Sequence, residues 1–186
     1  MGFLNIQDGG GSGRLATVSS FFRLNVSAKT NPRTFYASRD EGQTFNAISI
    51  DASATAGDYI WYLCNTSTDK NLYIKHLEFH SAEAAVWAVW EVTGTPSGTT
   101  ITPSNLNLGS PNEAEAVCVG DGAVTGLTTV KRIGTHRNDA LGEGEMQFDD
   151  ALILAPNSAI AVEYDTGTTG AAEIDCFFHY ETIGKK

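Results

Sequence analysis

The sequence predicts an all-β fold: an antiparallel β-sandwich of jelly-roll type, preceded by an extended N-terminal arm. Two observations lead to this prediction. Short segments alternate apolar and polar residues with a period of two, and clusters of Gly, Pro, Asn, Asp and Ser separate these segments at a spacing of roughly ten residues. About eight to ten such segments fit within the chain, which is typical of sandwiches and jelly rolls.

The first half of the body contains the clearest strand signals. Residues 44–50 alternate with a period of two, and residues 58–64 are apolar almost throughout, which suits a central strand buried on both faces. Residues 65–71 have turn composition, so 58–64 and 72–80 are predicted to pair as a hairpin with a seven-residue loop.

The middle of the chain combines a strand with a long polar segment. Residues 82–85 have helical propensity, whereas the β-branched and aromatic residues of 86–92 favour a strand, so we predict a bend and then a strand. Residues 93–110 are rich in Thr, Ser, Asn, Gly and Pro, which predicts a loop whose role would be shape and contact. The second half is predicted to contain a loop at 142–145 and strands at 114–119, 127–133, 151–154, 159–164 and 172–180.

Composition and charge exclude several classes of partner. The chain has 186 residues, of which 41% are hydrophobic and 18% charged, and its net charge is −10. An acidic surface repels phosphate backbones, so we expect no nucleic-acid partner. There is no export signal and no run of 18 apolar residues, so we expect a soluble protein made in the cytoplasm, with no membrane partner. The three cysteines are predicted to be reduced core residues.

The N-terminal segment differs in charge from the rest. Residues 1–39 are predicted to form an arm with a glycine-rich hinge at 9–13, and residues 40–186 the β-sandwich body. Residues 1–40 carry a net charge of +3 and the remainder −13, which suggests an arm lying on an acidic surface of its own body or of a neighbouring subunit. A solvated leader is the alternative. The candidate partner-contact residues are Arg14, Phe21, Phe22, Arg23, Arg33 and Arg39.

Motifs for catalysis, cofactors or metals are scarce, so we expect no enzyme activity, no cofactor and no metal site. His76 and His80 would lie about 13 Å apart on one strand at about 3.3 Å per residue, too far to share an ion. His136 and His179 are interpreted as surface or packing residues. An acidic loop offers oxygen ligands for calcium, although its spacing matches no known calcium loop. Its residues are Asn138, Asp139, Glu143, Glu145, Asp149 and Asp150.

Two further functional alternatives remain open. Trp61, Trp87 and Trp90 would serve as a sugar-binding platform if exposed, although their apolar surroundings favour core packing. Glycoside hydrolysis needs two acids flanking a cleft, and the candidates are Glu78, Glu91 and Glu163.

Several segments resemble virion proteins of tailed bacteriophages, of the head-decoration (cement) or head-fibre type. The resemblance covers roughly residues 14–182 and rests on strand ends and turns, none of them catalytic. The segments are Arg14–Val18, Arg23–Val26, Gly42–Asn46, Tyr62–Asn65, Asn71–Ile74, Val92–Thr95, Ile101–Asn107, Leu152–Ser158 and Ala161–Tyr164.

The resemblance implies a non-enzymatic structural protein on the exterior of the virion capsid, which stabilises the head by bridging capsid subunits. Its partners would be the major capsid protein and further copies of this chain, with a trimer favoured because capsid lattices offer local threefold positions. The alternative is a carbohydrate- or host-surface-binding β-sandwich module of a phage fibre or tail.

Overall fold

The computed structural model describes residues 6–7, 15–18, 24–25, 37–39 and 41–184. The chain divides into two compact units, Met1–Pro32 and Arg33–Lys186. This division falls before the predicted boundary at residue 39. The predicted hinge at residues 9–13 lies outside the described residues.

Strands dominate the described residues, and every pairing between them is antiparallel. A helical turn at 37–39 is short, and no helix of the described residues has the length and apolar character needed to cross a membrane. The strands are β1 (Ile6–Gln7), β2 (Leu15–Val18), β3 (Leu24–Asn25), β4 (Thr44–Ala54), β5 (Asp58–Asn65), β6 (Lys70–Ser81), β7 (Ala85–Ile101), β8 (Ser104–Asn105), β9 (Ala116–Asn138), β10 (Gly142–Leu154), β11 (Ala159–Gly167) and β12 (Gly170–Thr182).

In the first unit, β1, β2 and β3 form a three-stranded sheet. The second unit, which we call the body, contains two packed sheets. One has five strands in the order β10-β6-β12-β4-β8, and the other is a closed sheet of β11, β5, β9 and β7. The second sheet closes because each of its strands pairs with two others: β7 and β5 each pair with both β9 and β11. The predicted all-β sandwich class is therefore confirmed.

The core lies between the two sheets and is rich in aromatic residues. Its largest fully buried side chains include Trp61, Trp87, Tyr164 and Phe79. A second apolar cluster, around Tyr62, covers the opposite face of β5. Strand β5 is therefore buried on both faces, as its nearly continuous apolar sequence predicts.

The predicted hairpin of β5 with β6 is wrong. Strand β5 pairs with β9 and β11, whereas β6 pairs with β10 and β12, so the turn between them carries the chain from one sheet to the other. The buried Asn65 holds this crossing. Its amide donates to the carbonyls of Lys70 (2.9 Å) and Leu154 (2.8 Å), and its Oδ1 accepts from the Ser67 amide (3.1 Å). Alternation along each strand contains no information about which strand is its partner.

The prediction of a loop over 93–110 is wrong as far as residue 101, because β7 continues to Ile101, and again at the two residues of β8, which pair with β4. Threonine favours extended backbone, and Pro96, which has no N–H to donate, lies at a shift in register between Gly94 and Ser97. Gly94 has φ +110°, and a Cβ there would collide with the carbonyl oxygen of Gly126. Glycine thus permits the close approach of β7 and β9.

Two other boundaries in the second half also differ from prediction. Residues 142–145, predicted as a loop, begin β10, where they pair with β6. The two strands predicted at 114–119 and 127–133 belong to one strand of 23 residues, β9, which begins at Ala116. Pairing with long neighbouring strands keeps the backbone extended through the glycines of these segments.

A bulge in β6 determines which of its side chains face outward. Both neighbours of β6 shift register between Ile74 and His76, so Lys75 is an extra residue relative to β12. Beyond the bulge, Leu77 and Phe79 point into the core. Residues 76, 78 and 80 therefore lie on the outer face of the five-stranded sheet.

Candidate functional site

Most of the predicted partner-contact residues of the arm lie outside the described residues. These are Arg14, Phe21, Phe22, Arg23 and Arg33. Arg39 is described, lies in the helical turn at 37–39 and is exposed. The turn is joined to the residues that precede β4, because the backbone carbonyls of Ala37 and Ser38 accept hydrogen bonds from the amides of Gln43 (2.7 Å) and Gly42 (3.2 Å), respectively.

The three tryptophans are packing residues. Trp61 and Trp87 are fully buried. Trp90 is half-buried, its Nε1 donates to Glu163 (2.6 Å), and the Arg132 guanidinium lies 4.4 Å from its ring centre. This arrangement favours core packing over a sugar-binding platform.

The three carboxylates considered for hydrolysis do not all lie on one sheet. Glu78 lies on the five-stranded sheet, whereas Glu91 and Glu163 lie on the closed sheet. Glu163 is already the acceptor for Trp90.

The six residues considered as calcium ligands are dispersed. Asn138 is buried, where it accepts from Trp87 Nε1 (2.6 Å) and donates to the Gly142 carbonyl (2.9 Å). Glu143 and Glu145 extend from β10 beside β6. Asp149 and Asp150 lie in a bulge of β10 with φ of 46° and 66°. The segment is therefore not one calcium loop.

His136 and His179 both stack on aromatic rings. The ring centre of His136 is 5.4 Å from that of Phe79, and the ring centre of His179 is 5.2 Å from that of Tyr73. His179 is fully buried, and its pKa is lowered because desolvation outweighs the attraction of Asp150 and Glu181. These contacts agree with the prediction of packing histidines.

The outer face of the five-stranded sheet brings ionisable side chains together from three strands. Glu78 of β6 lies directly opposite Glu145 of β10 on one side and Asp175 of β12 on the other. On its own strand it is flanked two residues away by His76 and His80, whose side chains share the outer face. We call these five residues, Glu78 and its four neighbours, the Glu78 cross.

Distances within the Glu78 cross are short. His76 Nε2 lies 3.3 Å from Glu78 Oε1, and His76 Nδ1 lies 3.7 Å from Glu145 Oε1. The imidazole of His76 packs on Phe177, with ring centres 4.3 Å apart, which holds the ring in place on the sheet. Potential ligand atoms of His76, Glu78 and Glu145 all lie within 4.8 Å of one another, and so do those of Glu78, His80 and Asp175.

The three carboxylates of the Glu78 cross repel one another. Carboxylates directly across from each other in a sheet repel, and here three stand in one row, Glu145, Glu78 and Asp175. The pKa of Asp175 is raised, first by desolvation and then by the charges of Glu173 and Glu78, while the two histidines oppose this shift. A cation or a bound proton at this position would relieve the repulsion.

Sequence reasoning missed the Glu78 cross because it considered ligand spacing along one strand. The inference that His76 and His80 lie too far apart to share an ion considered only those two residues, while the neighbouring ligands come from β10 and β12. The available signal was the alternation His76-x-Glu78-x-His80 on one strand face, but the strands beside it were not identifiable from sequence.

A comparison of the chain with known protein families, with curated proteins and with solved structures finds no match in any of the three.

Proposed function

We propose that this chain is a non-enzymatic structural protein of a virus particle, a decoration protein that binds the capsid exterior and bridges neighbouring capsid subunits. The proposal starts from the resemblance of residues 14–182 to head-decoration and head-fibre proteins. Its partners are the major capsid protein and further copies of this chain, with a trimer as the assembly that matches local threefold positions.

The observation that carries the proposal is the distribution of large apolar side chains in the body. The tryptophans pack inside, while Ile48 and Ile50 on the outer face of β4 are 44% and 56% exposed, and Leu141 at the β9–β10 turn is 85% exposed. Ile50 and Leu141 line an open depression of about 270 Å³. Apolar side chains on a rigid sheet, next to charged ones, suit binding to another protein surface.

Binding to capsids tests the proposal. Full-length chain is mixed with undecorated capsids of the virus that encodes it, and bound protein is quantified after sedimentation. We expect saturable binding, and Ile50→Asp should lower it at least tenfold. Val130→Asp is the matched control, because Val130 is 57% exposed on the closed sheet. Absence of saturable binding by the full chain contradicts the proposal.

Deleting the N-terminal unit extends the same experiment. Deletion of residues 1–32 follows the division between the two units and keeps the hydrogen bonds from Gln43 to Ala37 and from Gly42 to Ser38. We expect the shortened chain to fold and to bind capsids more weakly. If it binds as tightly as the full chain, the N-terminal unit has no role in attachment.

A further inference from the structure

The Glu78 cross contains two groups of potential metal ligands that share one residue. His76 and Glu145 lie on one side of Glu78, and His80 and Asp175 on the other, and within each group the ligand atoms lie within 4.8 Å of one another. Each group combines one imidazole with two carboxylates. Three such ligands with an open position are a common arrangement in protein metal sites.

Two atoms of these groups are buried and lack a hydrogen-bond partner. They are Nε2 of His76 and Oδ1 of Asp175, one in each group. Among the described residues, nine buried side-chain atoms lack a partner, and these two are the ones that lie in the Glu78 cross. Each carries a desolvation cost that a bound partner would compensate. A metal ion would supply a partner for both. The nearby carboxylates cannot donate to Asp175 Oδ1 while ionised, and His76 Nε2, which lies 3.3 Å from Glu78 Oε1, would otherwise need to carry a proton to have a partner.

The donor set favours one class of cation. Imidazole nitrogen with carboxylate oxygen suits zinc and neighbouring transition metals, whereas calcium and magnesium prefer oxygen ligands alone. The 3.3 Å between His76 Nε2 and Glu78 Oε1 is close to the edge of a tetrahedron with metal–ligand bonds of about 2.0–2.2 Å. A divalent ion would also offset the three carboxylates in the central row.

We propose that the outer face of the five-stranded sheet binds a divalent transition-metal ion of the zinc class at Glu78, with His80 and Asp175 or His76 and Glu145 completing the ligand set. The two halves share Glu78, so the protein binds one ion, or two ions bridged by that carboxylate. The inference does not depend on the proposed capsid role, because it rests only on these five side chains.

Titration of the metal-free full-length chain tests this site. Zn²⁺ binding is measured by calorimetry, and Co²⁺ binding by the visible absorption that nitrogen–oxygen ligation produces. We expect saturable binding at a stoichiometry of one or two, and Glu78→Gln should weaken it at least tenfold. Glutamine keeps the size of the side chain and removes its charge from the row of carboxylates, so the variant should fold at least as stably as the wild type.

Glu91→Gln is the matched control, because it removes one carboxylate from an exposed position on β7 and leaves the Glu78 cross intact. It should bind Zn²⁺ as the wild type does. Equal weakening by Glu78→Gln and Glu91→Gln would indicate attraction of cations to the acidic surface in general and would overturn the proposal.

Histidine side-chain NMR identifies the ligands independently of affinity. Zn²⁺ should shift the imidazole nitrogen resonances of His76 or His80 and leave His136 and His179 unchanged. The same titration with Ca²⁺ should shift none of them. No saturable Zn²⁺ or Co²⁺ binding below millimolar concentration, or binding without a shift at His76 or His80, would overturn the proposal.

Discussion

The two sheets of the body differ in how many of their faces are buried. In the closed sheet, β5 directs Ile60 and Leu63 into the main core and Tyr62 into the second cluster, so packing constrains both of its faces. In the five-stranded sheet, β6 buries Leu77 and Phe79 on one side only, and its other side carries the Glu78 cross. Core packing does not require charged residues on that side of β6. The outer face is therefore the part of the body in which a functional site is expected.

The largest expected effect on stability comes from comparing an isoleucine-to-alanine substitution in each of the two sheets. Ile60→Ala in β5 should lower the free energy of unfolding by about 2–5 kcal/mol, because Ile60 is fully buried and its loss leaves a cavity. Ile50→Ala in β4 should change it by less than about 0.5 kcal/mol, because Ile50 is 56% exposed. Urea denaturation measures both, and equal losses would contradict the contrast.

In the closed sheet, the sequence predicts individual strands but not which strands pair with each other. The apolar run 58–64 identifies a strand buried on both faces, because no polar face is left for solvent. The run does not show that its partners are β9 and β11, since those residues lie far away in sequence. The same limit concealed the Glu78 cross, whose ligands come from three strands.

The crossing between the two sheets should depend on Asn65. Asn65→Ala leaves the buried carbonyl of Leu154 without its side-chain donor and should cost about 2–3 kcal/mol of unfolding free energy. Asn112→Ala is the control, because Asn112 is exposed and its amide donates to the Glu41 carbonyl at the surface. Thermal denaturation of the two variants compares them, and a similar small loss in both would show that Asn65 does not hold the crossing.

Acid should destabilise the five-stranded sheet through His179. Its pKa is lowered by burial against Tyr73, despite Asp150 and Glu181 nearby, and Lys75 adds to the lowering. The unfolded chain therefore binds a proton more readily, so stability falls as pH drops below about 6.5, by at most about 1.4 kcal/mol per pH unit.

His179→Phe keeps an aromatic ring against Tyr73 and removes the titration. Urea denaturation between pH 5 and pH 7.5 should then show a smaller loss of stability on acidification than in the wild type. An unchanged pH dependence would show that other groups govern acid stability.

The smallest expected effect is a gain on the outer face. In the metal-free chain, Asp175→Asn removes one of three facing carboxylates and should stabilise the fold by about 0.2–1 kcal/mol at neutral pH. Because the pKa of Asp175 is raised, the gain should diminish as pH falls towards the range where Asp175 is protonated. A loss of stability at neutral pH would mean that Asp175 has a favourable partner in the folded chain.

The most direct test of the proposed structural role is the stability of the capsid itself. Undecorated capsids are heated with and without saturating full-length chain, and genome release is followed with a nucleic-acid dye. A decoration protein that bridges subunits should raise the release temperature in proportion to its occupancy, because a partner that binds only the intact shell stabilises that shell. Saturating binding with no change in release temperature would contradict a stabilising role.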